Sequence, residues 1–109
     1  MKVCDLKKGD RVLLNYGEKD GDLAQCSKLS MALTLKEAGL YTPWEADVMA
    51  KPRGKSPIRV FLQVFGWEAD IGDTYAHKIL AAKVNGEWVE LEHTDKEREI
   101  EKMERTVFG

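Results

Sequence analysis

Between residues 58 and 67 apolar and polar positions alternate in a strand-like pattern. Ile58, Val60, Leu62 and Val64 fall on one face, and Arg59, Phe61, Gln63, Phe65 and Trp67 on the other. β-Branched and aromatic residues fill the segment, making it the strongest predicted strand of the chain. Further on, Asn85-Gly86 is the preferred pair for a two-residue type I′ turn, which predicts a hairpin of residues 74–84 with 87–92. Counting outward from that turn pairs Val84 with Glu87, Lys83 with Trp88, Ala82 with Val89, Ala81 with Glu90 and Leu80 with Leu91. This register collects Leu80, Ala82, Val89 and Leu91 on an apolar face and Lys83, Trp88, Glu90 and Glu92 on the opposite one. A helix from Asp73 to Gly86 is the competing reading, and it leaves Val89 and Leu91 without a strand partner. Residues 44–50 are a further strand, with Trp44, Ala46 and Val48 on one side. The intervening Lys51-Pro52-Arg53-Gly54-Lys55-Ser56-Pro57 must turn, because two prolines and a glycine interrupt any regular element.

The first half of the chain is less regular. Gly9-Asp10 turns into a short strand at about 11–15, carried by Val12-Leu13-Leu14. The opening Lys7-Lys8-Gly9-Asp10-Arg11-Val12 has the form K-x-G-D-x-V and resembles the first strand of many SH3-like small barrels. That resemblance covers about ten residues and implies architecture only. Residues 17–22 form a polar, glycine-punctuated loop. From 23 to 38 helical spacing (Leu29, Ala32, Leu33, Leu40) competes with alternation (Leu29, Met31, Leu33, Leu35). The ending decides for a helix: Gly39 suits a left-handed C′ position, Leu40 covers the last turn, and Pro43 follows. The final helix, 95–107, starts from a capping box, Thr94-Asp95-Lys96-Glu97. Its stripe of Ile100, Met103 and Val107 is thin, and a Glu101–Arg105 pair adds only about 0.3 kcal/mol. The predicted fold is α+β: a small antiparallel sheet or partly open SH3-like barrel with strands at about 11–15, 44–50, 58–67, 74–84 and 87–92, a helix near 23–38 and a C-terminal helix 95–107. At 109 residues the expectation is one domain spanning 1–109.

Composition adds location. The chain is 43% hydrophobic and 33% charged, enough for a core and a solvated surface. Its apolar runs are too short for a membrane span, and charges follow the first residues where a signal peptide needs apolar ones. A cytoplasmic protein with no membrane partner is expected, with Cys4 and Cys26 as reduced thiols. A net charge of −2 gives no global attraction for nucleic acid. The distribution is uneven: residues 1–60 hold 11 Lys/Arg against 8 Asp/Glu, and residues 61–109 hold 6 against 11. Such asymmetry fits a molecule with a basic and an acidic side, or more economically a charged C-terminal helix.

Candidate chemistry concentrates in one stretch. Lys51, Arg53 and Lys55 crowd the turn and Arg59 follows, with no acid among them; cations held by prolines and a glycine would grip phosphates. Gly54-Lys55-Ser56 has the ending of a P-loop, but the motif's first glycine would fall at Met49, and Pro57 stands where its helix should begin. On the strand face of Arg59, Phe61, Gln63, Phe65 and Trp67, alternating aromatics beside a cation would stack unpaired bases, though the segment does not match the RNP1 pattern. The simpler expectation is a strand buried on both faces, its aromatic side under one of the helices. Phe65, Trp67 and Trp88 are candidates for a protein interface instead.

No catalytic residue is indicated. His77, Asp70 and Asp73 would be the groups of a small metal-dependent enzyme, but no G-x-S-x-G, H-E-x-x-H or EF-hand spacing supports one. His77 is expected to be a surface or half-buried residue. Cys4, Cys26, His77 and His93 lack zinc-ligand spacing, so neither metal nor cofactor is expected. The leading expectation is a non-enzymatic binding module contacting nucleic acid, or a nucleic-acid-associated partner, through Lys51, Arg53, Lys55, Arg59 and Phe61. The alternative is a protein-interaction or assembly subunit, a homo-oligomer or small adaptor.

Overall fold

The computed structural model describes residues 1–64 and 71–108. A 3-10 turn at Val3–Asp5 precedes β1 (Arg11–Lys19), which reverses into β2 (Asp22–Gln25). Helix α1 (Leu29–Glu37) leads to β3 (Thr42–Val48), β4 (Arg59–Val64) and β5 (Ile71–Tyr75). A second 3-10 turn, Ala76–Lys78, joins β5 to β6 (Ile79–Val84), followed by β7 (Glu87–Glu90) and α2 (Asp95–Phe108). The pairing is antiparallel, in the order β5-β4-β3-β1-β6-β7, with β2 also on β1.

Connectivity dictates the curvature. In a flat sheet β5 and β6, four places apart, would be separated by about 19 Å at roughly 4.8 Å per strand. The turn between them advances only about 2 Å per residue. The sheet therefore curls until its β5 edge approaches β6, giving an antiparallel half-barrel. Its interior holds Val12, Leu14, Ala46, Val48, Val60, Leu62, Ile79 and Ala82. Burying a side chain the size of Val60 or Leu62 contributes about 2 kcal/mol. A second, smaller cluster on the outer surface packs Leu13, Leu80 and Ala81 against Leu29 and Leu33 of α1.

The Asn85-Gly86 hairpin forms in the expected register, from Val84 opposite Glu87 to Ala81 opposite Ala81's predicted partner Glu90. Leu91 donates its amide to the Leu80 carbonyl at 2.9 Å. Two details differ. Leu14 pairs with Ile79 while Leu13 pairs with Ala81, so Leu80 is the extra residue of a β-bulge and turns to the outer cluster rather than joining Ala82. Val89 remains 36% exposed. Nor is 74–84 one strand: the turn at Ala76–Lys78 breaks it, because the chain has to cross from the β5 edge of the curled sheet to β6, which lies between β1 and β7.

The first half needs a larger correction. Residues 23–38 are not one helix, and 17–22 is not simply a loop. β1 continues to Lys19, reverses at Asp20-Gly21 with φ of 53° and 83°, and returns as β2, so the helix starts only at Leu29. The type I′ conformation at Asp20-Gly21 is the same device as Asn85-Gly86. The predicted helix ending is correct: Gly39 has φ 74°, its amide donates to the Lys36 carbonyl, and Leu40 donates to Leu35, a complete Schellman motif. Cys26 is buried, as expected of a small apolar residue, though it follows β2 rather than lying in a helix.

At α2 the capping box is made. The Thr94 amide donates to Glu97 Oε2 at 2.7 Å and the Glu97 amide to Thr94 Oγ1 at 3.3 Å. His93 extends it, one ring nitrogen 2.8 Å from the Ile79 carbonyl oxygen and the other 3.3 Å from the Glu97 carboxylate. Met103, assigned to the packing stripe, is 57% exposed. Val107 and the Arg105 side chain lie outside the described side chains.

Candidate functional site

The turn after β3 is pinned from within. Pro52 and Pro57 are buried, and Lys51, Arg53, Gly54 and Lys55 between and beside them are exposed. Gly54, at φ 79° with open space around it, lets the chain reverse there. β4 then enters the sheet with Val60 and Leu62 inward, each 1% exposed, so alternation sends Arg59 and Phe61 outward.

This overturns the expectation that the second face of the strand is buried under a helix: Phe61 is 44% exposed. Ile58, placed on the inner face by its spacing, is also exposed, because it lies before the paired part of the strand. Phe65 and Trp67 lie outside the described residues. Trp88 is half-buried against the outer cluster, with the Lys83 ammonium 5.5 Å from its ring centre.

Lys51, Arg53, Lys55, Arg59 and Phe61 line one open groove of about 930 Å³. Two further residues complete it. Lys96, from the first turn of α2, adds a cation, and Asp73 of β5 stands directly across from Phe61. The groove thus gathers five of the chain's 17 Lys/Arg with one of its 19 Asp/Glu. Arg59 is held over the Tyr75 ring at 5.2 Å, its strand partner on β5. Lys51 reaches the Cys4 carbonyl oxygen at 3.3 Å. Among the described residues none of these five cations forms an ion pair with a carboxylate. A β4–β5 hairpin register would have placed Asp73 beside Phe61, whereas no sequence signal brings Lys96 there, since α2 reaches the groove only through the fold.

A second polar cluster anchors α2. His77, 8% exposed and so deeper than expected, stacks on Tyr75 at 5.6 Å between ring centres. Its Nε2 is 3.1 Å from Glu104, and Lys78 Nζ is 3.0 Å from the same carboxylate while also donating to the Tyr16 hydroxyl. Burial opposes charging of Lys78, but its bonds to Tyr16 and Glu104 outweigh this and raise its pKa above 10.5. Burial likewise opposes ionisation of Glu104, and the hydrogen bond and charge of Lys78, aided by His77, overcome it and lower the pKa below 4.5.

A carboxylate whose folded pKa is depressed stabilises the fold above its ordinary value and loses that contribution as pH falls through the folded one. A lysine whose folded pKa is raised contributes below its ordinary value and loses that as pH rises. The pair thus stabilises docking of α2 between about pH 4.5 and 10.5. Glu104→Gln is expected to cost about 1–2 kcal/mol at pH 7, and to flatten the loss of stability between pH 5 and 3, in thermal melts at each pH.

A third feature is a pocket of about 420 Å³ between β2 and α1, lined by Cys26, Met31, Leu35, Leu40 and Tyr41 with Lys19 and Lys28 at its margin. Burial pushes the Tyr41 phenol up to about 12. Among the described residues no group of three or more His, Cys, Asp or Glu is placed to hold a metal ion, so Cys4, Cys26, His77 and His93 are not gathered. Asp70, from the metal-enzyme set, lies outside the described residues, and Asp73 belongs to the cationic groove.

No family model, curated protein or solved structure matches the chain. The groove therefore has to be read from its own chemistry. None of the described helices is long and apolar enough to cross a membrane.

Proposed function

We propose that this domain is a non-enzymatic binding module that holds single-stranded nucleic acid in the groove beside β4. The observation that carries the reading is the segregation of charge. In a chain of net charge −2, five cations meet around one exposed phenylalanine, with a single acid between them. Cations on a proline-pinned turn attract a phosphate backbone and release its counterions. The exposed Phe61 ring offers a stacking surface to one base, which a duplex keeps paired and out of reach. A cytoplasmic location fits the same reading, since Cys4 and Cys26 are both free thiols.

The test is titration of a fluorescein-labelled 12-nucleotide strand, and of the matching duplex, at 50 and 200 mM salt. Single strand is expected to bind more tightly than duplex. With four or five phosphate contacts its affinity should fall about 50-fold to 130-fold across that range. Phe61→Ala should lose about tenfold with the salt dependence unchanged. Binding that is absent at 50 mM, or indifferent to salt, would sink the proposal.

A second reading, a protein-interaction or assembly subunit, has its own observation: Met31 and Leu40, lining the pocket beside α1, are both more than half exposed. The titration separates the two, because a face at α1 leaves oligonucleotide binding without a role for the groove.

A further inference from the structure

We infer that the groove reads the base it stacks, and that Asp73 makes it prefer guanine; this rests on the nucleic-acid reading above. In a groove built to hold phosphates a carboxylate works against binding, and Asp73 sits among the cations without joining them. Among the described residues it forms neither an ion pair nor a side-chain hydrogen bond. Its position is specific: Asp73 and Phe61 are direct partners across β4 and β5, both exposed on the same face. Directly opposed residues have Cβ atoms about 5 Å apart, so a base lying on the Phe61 ring turns an edge toward the Asp73 carboxylate.

An ionised carboxylate only accepts hydrogen bonds, through two oxygens side by side. Guanine alone among the common bases presents two adjacent donors on its Watson–Crick edge, N1–H and N2–H, which meet those oxygens together. Adenine and cytosine present one amino donor next to a ring nitrogen that is itself an acceptor and repels the second oxygen. Thymine and uracil present one N–H flanked by two carbonyls. On the other side of Phe61, Arg59 is held over Tyr75, leaving its charge to the strand's phosphates rather than to Asp73.

The experiment uses the whole chain and thymidine heptamers whose central base is guanine, hypoxanthine, adenine or cytosine, with anisotropy at 50 mM salt. Guanine is expected to bind about tenfold more tightly than adenine or cytosine. Hypoxanthine, which keeps N1–H but lacks the amino group, should fall between. Asp73→Asn keeps the size of the side chain and replaces one acceptor by a donor. It should erase the guanine preference, weakening the guanine heptamer while the adenine and cytosine heptamers bind as tightly as before or more tightly. Heptamers that all bind alike, or a guanine preference that survives in Asp73→Asn, overturn this inference and leave the nucleic-acid reading standing. Failure of every heptamer to bind overturns both.

Discussion

Gly17→Ala is expected to destabilise the domain by about 3 kcal/mol or more, the largest effect of any single methyl group here. A Cβ at Gly17 would lie 2.4 Å from the Thr42 carbonyl oxygen and 2.6 Å from the Tyr41 ring and hydroxyl. The ring is a side chain that can turn aside, but the carbonyl is backbone of β3. It is tied to β1 by the pairs Gly17–Pro43 and Glu18–Thr42, so relief means parting two central strands. Just before this point the register shifts, with three residues of β1 (Leu14, Asn15 and Tyr16) between the Leu13–Glu45 and Gly17–Pro43 pairs against one of β3 (Trp44). The gain from a less flexible unfolded chain, about 0.4–1 kcal/mol for Gly→Ala, is too small to offset the clash. Urea unfolding measures it, with Gly21→Ala as control: that glycine has φ 83° but open space, and its cost should stay near 1 kcal/mol. A Gly17→Ala protein within 1 kcal/mol of the parent would mean that β1 and β3 are not apposed as the structure has them.

Removing Lys51, Arg53 and Lys55 together is expected to weaken single-strand binding about 100-fold at 0.1 M salt. Each phosphate contact to a single strand contributes about 0.7 to the slope of log affinity against log salt. Three contacts thus account for about two decades between 0.1 and 1 M, and the measured slope should fall by about 2. Folding should be untouched, because the three side chains are exposed and the buried Pro52 and Pro57 that shape the turn remain. The control is Lys19→Ala, Lys28→Ala and Lys36→Ala in one protein, which removes the same charge from the α1 side of the molecule. If binding follows net charge alone, the two triple variants behave alike. If it follows the groove, the control changes by less than about threefold. Equal losses would reassign the affinity to the overall field of the protein and away from this site.

How much of this was legible depends on how local each cause is. Asn85-Gly86 set the register of β6 and β7 by itself, because a two-residue turn leaves no freedom in pairing. Asp20-Gly21 is an equally good turn pair, yet the strand after it is only four residues long and mostly exposed, so no apolar alternation announced it. With nothing to mark β2, the helical spacing of 29–37 runs on backwards over it in the sequence pattern. At the groove, the cationic turn and the outward side of β4 could be picked out from spacing. Whether Phe61 faced water could not, since alternation says only that Phe61 and Leu62 point opposite ways.

The alternating run at 58–64, the cations of 51–59, the turn at Asn85-Gly86, the ending at Gly39-Leu40 and the capping box at Thr94-Glu97 are local consequences of side-chain type and backbone stereochemistry. The sequence determined them alone. The tertiary structure decided which face of β4 stays open, brought Asp73 and Lys96 to Phe61, and buried His77 under α2. These rest on how a curled sheet closes across a three-residue turn and where a thinly apolar helix finds its charged partners. Such contacts join residues distant along the chain, and no pattern within a short window encodes them.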